Sequence, residues 1–324
     1  MIMEVNKIIQ GDALEVLKTL PNESVDCVVT SPPYFNLRDY QVEGQIGLET
    51  TYQEFIQKLV DIFNETKRIL KKEGTCFVNL GDTYAGGGFG ADTNLENTKQ
   101  FTNTGTIESR DKIAQLRKQN KQISQKSLMM IPERFAIAMM DAGWILRNKL
   151  VWIKRNAMPE SVNDRWKKAH EYIFFFTKSK KYYFNLDKIR TKHSDISVKR
   201  ADYELGRNSL GQDPSSMGAK SDKYGMPARH IKLNPLGAVP PDFLDINTNS
   251  TGEGGEHYAT YPQSLISPLI RAGCPENGIV LDMFMGSGTT AIAARKQSCN
   301  FIGIDLNPDY IKIAEKRLAQ QLLF

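Results

Sequence analysis

Short apolar runs alternate with amphipathic stretches along most of this chain. The runs have the length and the β-branched and aromatic content of buried strands. They are Lys7–Gln10, Val25–Thr30, Thr75–Leu80, Asn148–Ile153, His170–Thr177, Ile279–Asp282 and Phe301–Asp305. Strands that alternate with helices predict an α/β fold built on a largely parallel sheet.

The stretches between these runs place apolar residues at helical spacing. Asp12 is positioned to cap a first helix, and residues 55–70 predict a long second one. Pro132 and Pro308 stand where further helices begin, which is the helical position that best tolerates proline. The apolar stripes of these helices predict core contacts and do not indicate a function.

The strand Val25–Thr30 runs directly into Ser31-Pro32-Pro33-Tyr34. Two prolines cannot extend a sheet ladder, so the backbone turns there with little freedom. The turn leaves a hydroxyl, a fixed carbonyl oxygen and an aromatic ring at the carboxyl end of a strand, where open α/β sheets bind ligands. The oxygens can accept from an exocyclic amine while the ring stacks on a flat substrate. A proline-rich turn without function is the alternative.

A second strand, Ile279–Asp282, enters the glycine-rich turn Phe284-Met285-Gly286-Ser287-Gly288, which a helix from Thr290 follows. Glycines allow the backbone to approach a ligand closely. The next strand ends in Asp305, about twenty residues further on, where nucleotide-binding units commonly hold ribose hydroxyls. Because no lysine follows Gly288, the turn is not a phosphate loop. The pattern favours an adenosine-type cofactor.

Composition narrows the class of protein. The chain has 324 residues, of which 40% are hydrophobic and 24% charged, enough for one sizeable core. Its net charge of +5 and pI of about 8.8 suit a nucleic-acid partner. The four cysteines form no CxxC pair and the four histidines are scattered, so we expect buried reduced thiols and no metal site. Without a signal peptide or a long apolar span, we expect no membrane association and a soluble intracellular protein.

Two stretches depart from the alternating pattern. Residues 84–126 are polar and basic, which fits either a flexible solvated loop or a loop that closes on DNA phosphates. Residues 188–250 hold many Gly, Pro, Ser and Asn residues, with ten cations against five acids in their first part.

Taken together, these motifs resemble those of the amino-methylating DNA methyltransferases that use S-adenosylmethionine. That family carries a D/N/S-P-P-Y/F motif for the target amine and an F-x-G-x-G motif for the cofactor, here at residues 31–34 and 284–288. The catalytic motif precedes the cofactor motif, as in the permuted class called beta. Residues 257–265 are similar to that class's additional cofactor motif, and Gly11-Asp12 resembles its adenine-binding loop.

The resemblance implies a Rossmann-like methyltransferase sheet of seven strands, one of which, around residues 148–177, runs antiparallel. It divides the chain into a permuted catalytic and cofactor-binding domain, 1–187 and 251–324, and a small target-recognition region, 188–250. It also implies double-stranded DNA as the substrate, a site-specific modification enzyme of a prokaryotic or phage restriction-modification system, and a cytoplasmic location. Many members are dimers, so a homodimer is allowed. A cognate restriction endonuclease would act beside it without a stable complex.

The resemblance also assigns roles at the amine site. An aromatic amine is a weak nucleophile because its lone pair is delocalised into the ring. Acceptors on its hydrogens localise that pair, and Ser31 and Pro32 are the candidates, with Pro33 fixing their direction. Tyr34 would stack on the base, which must first flip out of the duplex.

For the cofactor, the backbone around Phe284, Gly286 and Gly288 would hold the methionine end, with Thr289 nearby. The resemblance also pairs polar side chains with parts of the cofactor. Asp305 would hold the ribose, Asp12 the adenine amine, and Thr260 or Ser264 the carboxylate. Asp282 would hold the ammonium group or, alternatively, only cap the turn. The additional motif usually carries Lys-Pro where this chain has Tyr261-Pro262, which leaves Tyr261 without an assigned role.

Serine at position 31 favours cytosine N4 as the target, because adenine-N6 members usually have Asp or Asn there. A hydroxyl can serve either amine, so adenine N6 stays the runner-up. Cytosine C5 chemistry needs a thiolate after a proline, and no cysteine here follows one. RNA or a protein glutamine are further substrates to consider, and a non-enzymatic DNA-binding module is the alternative of a different class.

Overall fold

The structure is a computed structural model that describes residues 3–86, 107–119, 122–199, 201, 233–248 and 261–320. Its strands are β1 Lys7–Gln10, β2 Val25–Thr30, β3 Leu70–Leu80, β4 Ile145–Ile153, β5 His170–Thr177, β6 Phe243–Asp245, β7 Ile279–Asp282 and β8 Asn300–Asp305. Its helices are α1 Ala13–Thr19, α2 Tyr52–Ile69, α3 Ile107–Gln119, α4 Ile131–Asp141, α5 Gln263–Gly273, α6 Thr289–Lys296 and α7 Pro308–Gln320.

The strands form one sheet in the order β1-β8-β7-β2-β3-β5-β4-β6. All pairings are parallel except those of β5, which runs antiparallel to both β3 and β4. The predicted α/β class and the single antiparallel strand near residues 148–177 are therefore confirmed. Because β3 and β4 point the same way, the carboxyl ends of β2, β3, β4 and β7 share one edge of the sheet.

Two apolar clusters lie on the two faces of this sheet. One packs α1, α2 and α4 through residues such as Leu17, Phe55 and Phe135. The other packs α5 and α6 through residues such as Leu265 and Ile292. The sheet is thereby covered on both faces, which explains why its central strands are continuous apolar runs.

Local capping fixes where the helices begin. The Asp12 side chain accepts from the Glu15 amide, and Thr51 and Glu54 form a reciprocal capping box at the start of α2. Asn307 precedes α7, and its side chain accepts from the Asp309 amide at 2.9 Å.

Three sequence predictions need correction. The described residues form a sheet of eight strands because β6 adds to its edge, and a three-residue strand is too short to show a two-residue period. The stretch 84–126, predicted as a loop, contains α3, whose polar sequence buries Ile113. Three strands begin earlier than predicted: β3 at Leu70, directly after α2, rather than at Thr75, β4 at Ile145 rather than Asn148, and β8 at Asn300 rather than Phe301.

Contacts divide the chain into two compact units, residues 1–184 with 242–324, and residues 185–241. The predicted recognition region, 188–250, covers most of the second unit and extends past β6, which belongs to the sheet. The second unit has a 3₁₀ helix, Leu186–Ile189, and a bridge between Thr191 and Ala238. Residues 202–232 and 249–260, which hold much of the predicted recognition region, lie outside the described residues.

Within the described part of the chain, no helix is long and apolar enough to cross a membrane.

Candidate active site

The two sequence motifs meet at one edge of the sheet. Strands β2 and β7 are paired, and at their carboxyl ends the Thr30 hydroxyl donates to Oδ1 of Asp282 at 2.6 Å, across 252 positions of sequence. Ser31-Pro32-Pro33-Tyr34 continues from the first strand and the glycine turn from the second. The fold therefore places the amine-binding candidates beside the cofactor candidates.

Tyr34 is held by polar groups of the neighbouring strands. Its hydroxyl donates to Oε2 of Glu171 at 2.6 Å and lies 3.1 Å from Oδ1 of Asn79. The same Asn79 oxygen lies 3.5 Å from the Ser31 hydroxyl. A Cβ added at Gly81 would lie 2.5 Å from Cε2 of Tyr34, so the ring packs directly on backbone. These contacts fix the ring and the Ser31 side chain relative to each other.

Glu171 connects this group to two lysines. Its other carboxylate oxygen forms an ion pair with Lys154, and both side chains are largely buried. Burial alone would raise the pKa of Glu171, but Lys154, the Tyr34 hydroxyl and Lys168 together hold it below its usual value. Burial, and then the Glu171 charge, raise the pKa of Tyr34. At neutral pH the pair is thus a carboxylate that accepts from a protonated phenol.

Sequence reasoning missed Asn79, Glu171 and Lys154. A signal for the first was present, since Asn79 is a polar residue inside the apolar run of β3 and is 5% exposed. Its amide nitrogen donates to the Tyr172 carbonyl at 3.1 Å, which explains how a polar side chain is accommodated there.

Asp282 is the centre of a buried hydrogen-bond network. Oδ1 accepts from Thr30 and from the Phe284 amide, while Oδ2 accepts from the hydroxyls of Tyr261, at 3.0 Å, and Thr290. Burial raises the pKa of Asp282 and these donors oppose the rise. With four donors on a side chain that is 1% exposed, the geometry agrees with the alternative role of supporting the turn. It also gives Tyr261, which had no assigned role, a place in the network.

Asp305 lies against the glycine turn as expected from its spacing. Its carboxylate accepts from the Gly286 amide at 2.7 Å and from the Asn307 amide at 2.8 Å. Burial raises its pKa, and the two backbone donors oppose this. Each oxygen keeps a lone pair for a further donor, which suits a ligand with vicinal hydroxyls.

The first strand brings Asp12 to the same place. Gln10 is paired with Asp305 across β1 and β8, and the Gly11 amide donates to the Asp305 carbonyl at 3.0 Å. Asp12 uses Oδ1 to cap α1. The first and last strands together therefore build one side of the candidate pocket.

Two tyrosines near Asp305 were not anticipated. The rings of Tyr40 and Tyr310 meet edge to face, with centroids 6.3 Å apart. Burial raises the pKa of Tyr40. The Arg38 charge lowers that pKa and the Asp305 charge raises it, so Tyr40 shares the electrostatic environment of Asp305. They add flat apolar surface to the site, which a purine ring could use.

The remaining candidates lie in less informative positions. Thr289 is buried, and its hydroxyl lies 3.4 Å from the Arg317 guanidinium, which also donates to the Ser287 carbonyl at 2.6 Å. Ser264 is exposed in the first turn of α5, and no hydrogen bond joins its side chain to the glycine turn in the described part of the chain. Thr260 lies outside the described residues.

The described residues show no features of metal or thiolate chemistry at this site. Across the described ranges, no group of His, Cys, Asp and Glu could hold a metal ion. All four cysteines are buried and unbridged, and burial raises the pKa of the Cys27 thiol to about 12.

Known proteins resemble this chain in sequence and in fold. Residues 25–316 match the family described as DNA methylase. The type II methyltransferase M.XycI of Xanthomonas campestris pv. cyanopsidis is 36% identical over 321 residues, which cover 99% of this chain and 90% of that protein.

Two solved structures show the same fold. The cytosine-N4-specific PvuII DNA methyltransferase aligns with a TM-score of 0.60 at 18% identity, over 97% of this chain and 90% of its own. A protein of Thermus thermophilus, provisionally named a DNA modification methylase and solved with S-adenosyl-L-methionine, aligns with a TM-score of 0.56 at 20% identity, over 98% and 94%.

Proposed function

This chain belongs to the DNA methylase family, and from that premise we propose that it transfers a methyl group from S-adenosylmethionine to the exocyclic N4 of a flipped-out cytosine in double-stranded DNA. The observation that carries the proposal is the hydrogen bond between Thr30 and Asp282, which joins the two motifs at adjacent strand ends. A transferase needs its acceptor and its donor side by side, and the adjacency of the two motifs at this edge of the sheet supports that arrangement.

The residues present fit S-adenosylmethionine. Asp305 offers free carboxylate lone pairs beside the Gly286 amide, which suits ribose hydroxyls, and Asp12 stands next to it for the adenine amine. The backbone of Phe284, Gly286 and Gly288, with Thr289, forms the turn that would hold the methionine end. When bound, the cofactor supplies an electrophilic sulfonium methyl group.

The protein's own groups would prepare the amine. The Ser31 hydroxyl oxygen and the Pro32 carbonyl accept its hydrogens and localise its lone pair, and Pro33 restricts their direction. The Tyr34 ring, held by Glu171 and packed on Gly81, offers a stacking surface to the base. Ser31 is uncharged, as in cytosine-N4 members of the family, and the PvuII enzyme that shares this fold is cytosine-N4-specific.

Two further proposals concern organisation. We infer that the chain is of the permuted beta class, because its amine motif precedes its cofactor motif. The stretch 188–250, with its excess of cations, is proposed as the target-recognition region, and relatives named type II methyltransferases support a role beside a restriction endonuclease.

The test is transfer of labelled methyl groups from S-adenosylmethionine to varied duplex DNA, followed by nucleoside analysis. N4-methylcytosine is the expected product, and Ser31→Ala should reduce its rate. If the product is N6-methyladenine, the target base is adenine instead of cytosine and the proposed mechanism still applies. Label in RNA or protein, with none in DNA, would contradict the proposed substrate. Cofactor binding without transfer to any acceptor would favour a binding module.

A further inference from the structure

The protein exposes one of its three tryptophans almost completely. Trp144 and Trp152 are 3% and 2% exposed, whereas Trp166 is 88% exposed. Large aromatic side chains are seldom left this free in water, and those that are commonly belong to binding surfaces. The mechanism described above makes no use of Trp166.

Trp166 lies on the loop of residues 154–169 that joins β4 to β5. Because β4 runs parallel to β2 and β3, this loop starts at the same edge of the sheet as the Ser31–Tyr34 turn. The Lys154 amide donates to the Ala169 carbonyl at 2.8 Å and closes the loop at its base. There Lys154 pairs with Glu171, which in turn accepts from Tyr34. The base of the loop therefore contacts the residues that hold Tyr34, the proposed base-stacking residue.

The backbone beside Trp166 is fixed although its ring is free. The Arg165 guanidinium lies 4.0 Å from the centre of the Tyr84 ring and donates to Glu160 at 2.6 Å and to the Trp166 carbonyl at 3.0 Å. On the other side, Lys168 donates to the Asp82 carbonyl. An anchored backbone that presents an exposed ring loses little entropy when the ring binds.

The charge of the loop identifies its partner. Residues 154–169 hold five cations against two carboxylates. Arg155 is exposed and pairs with Asp245 of β6, and Lys167 is exposed and donates to the Ala157 carbonyl at 3.2 Å. A cationic loop with a free aromatic ring matches a polyanion that also has stacking faces. An apolar protein surface would leave those cations desolvated, so nucleic acid fits better.

We propose that Trp166 stacks on the DNA bases next to the flipped-out target and takes up part of the space that the target leaves. The inference rests on the proposed function, since only extrusion of a base exposes those faces. Unstacking a base costs free energy, and the indole ring replaces part of the lost stacking. Trp166 is thereby a positioning residue that acts on the DNA and does not touch the cofactor.

The first test uses Trp166 as its own probe, because the other two indoles are buried. Acrylamide should quench a fraction of the tryptophan fluorescence of the full chain, and Trp166→Phe should remove that fraction. Adding duplex DNA that the enzyme methylates, together with S-adenosylhomocysteine, should shield the fraction and dim its emission. Unchanged quenching, while the anisotropy of labelled DNA reports binding, would overturn the proposal.

The second test compares variants. Trp166→Ala should lower DNA affinity or the transfer rate by ~10-fold, as expected for loss of one base–aromatic stack, and Trp166→Phe should lose less. A mismatch opposite the target base should reduce the difference between Trp166→Ala and wild type, because the base then leaves the helix more easily. The matched control is Ile137→Ala, an exposed apolar residue on α4, which should behave as wild type.

The outcomes separate the two proposals. If wild-type protein methylates DNA and Trp166→Ala is equally fast and tight, the stacking proposal alone is wrong. If wild-type protein modifies no DNA at all, both proposals are wrong. Reduced transfer with unchanged cofactor affinity and a deficit that a mismatch relieves would support stacking, since a merely structural defect would not respond to the DNA.

Discussion

At the scale of single residues, the hydroxyl and the ring of Tyr34 have separate tasks. The hydroxyl is committed to Glu171 at 2.6 Å, so it is not free for a substrate. What remains for a base is the ring, whose position Gly81 and Glu171 determine. A tyrosine at this position therefore differs from a phenylalanine in how firmly it is held.

This division predicts a graded response at Tyr34. Tyr34→Ala removes the stacking surface and should lower the methyl-transfer rate by about 10-fold or more. Tyr34→Phe keeps the ring and loses only its anchor, so its loss should be smaller. Single-turnover rates measure both, and calorimetry of cofactor binding provides the control, which should be unchanged. If rate and cofactor affinity fall together, Tyr34 is structural.

Glu171→Gln should weaken the contacts that hold Tyr34, because Glu171 accepts the hydrogen bond of the Tyr34 hydroxyl. It leaves the Lys154 ammonium without its carboxylate, and we expect a loss of roughly 1–3 kcal/mol in the free energy of unfolding. The pKa of Glu171 is held below its ordinary value of 4.5, so its contribution is fully present above that value. As pH falls through the lowered pKa, the difference between wild type and variant should disappear. Urea unfolding at several pH values measures it.

The control for this variant is Glu133→Gln. Glu133 pairs with Lys149 of β4 at 2.5 Å, but both side chains are more exposed than those of the Lys154 pair. An exposed pair contributes little, so this variant should lose less stability and keep its transfer rate. Equal losses of stability in both variants would mean that Glu171 contributes no more to folding than the more exposed Glu133 does.

How far sequence predicts the site depends on the kind of signal each residue carries. Ser31-Pro32-Pro33-Tyr34 is contiguous, and proline restricts the backbone in a known way, so its position was predictable. Glu171 acts on Tyr34 only because β5 is paired antiparallel beside β3, with Asn79 opposite Ile173. That register is a property of the assembled sheet, and a glutamate at the start of an apolar strand does not reveal it.

At the scale of elements, the glycine turn depends on close packing as well as on backbone conformation. Gly288 has φ +81°, and a Cβ there would lie 2.8 Å from Cβ of Ala314 on α7. Gly44 has nearly the same φ, +82°, but its nearest neighbour is a Leu306 methyl group 4.0 Å away. The two positions share conformational strain and differ in space.

We therefore expect Gly288→Ala to destabilise the protein more than Gly44→Ala. Both variants meet the left-handed strain of about 1–2 kcal/mol, and only the first adds a clash between α6 and α7. Thermal unfolding should show the larger fall in Tm for Gly288→Ala. Equal falls would show that α7 moves aside easily and that the close approach has no energetic weight.

Asp282 offers a test between its two roles. Asp282→Ala leaves the Thr30 hydroxyl and the Phe284 amide without their buried acceptor, at about 1–3 kcal/mol for each group. The hydroxyls of Tyr261 and Thr290 lose the same acceptor but keep their hydrogen bond to each other at 2.6 Å. Asp282→Asn keeps a polar group of the same shape and should stay close to wild type in unfolding. Because burial raises the pKa of Asp282, its charge opposes folding at neutral pH, which further favours the Asn variant.

Cofactor affinity of Asp282→Asn then decides the role. If Asp282 only supports the turn, the neutral amide should bind S-adenosylhomocysteine nearly as well as the wild type. A folded Asn variant that loses the cofactor would instead assign its charge to the methionine ammonium group.

Elements with strong periodicity were predictable, and those without it were not. The apolar runs gave β1, β2, β5 and β7 with their observed bounds. Among the described side chains of helix α3, Ile113 is the one fully buried aliphatic residue, and its sequence has no clear apolar stripe. Strand β6 pairs with β4, and Leu244 packs against an apolar cluster, so its contacts are with distant segments that no local pattern can indicate.

At the scale of the whole molecule, the candidate cofactor pocket joins the two ends of the chain. Asp12 follows β1, the first strand, and Asp305 ends β8, the last one, and these strands pair directly. The candidate amine site begins between them in sequence, at the end of β2, and β7 lies between β2 and β8 in the sheet. A ligand in the pocket should therefore stabilise contacts that are distant along the chain.

This connection predicts a global response to the cofactor product. A ligand at 100 times its dissociation constant stabilises the folded state by about 2.7 kcal/mol, so S-adenosylhomocysteine should raise the Tm of the wild type. Asp305→Ala should abolish the shift, and Asp309→Ala, an exposed acid on α7 with 76% of its side chain accessible, should keep it. Hydrogen exchange should slow at Gly11-Asp12 as well as at the glycine turn. Because β1 and β8 are hydrogen-bonded neighbours, protection confined to the glycine turn would exclude Asp12 from the pocket and leave the first strand as a purely structural edge.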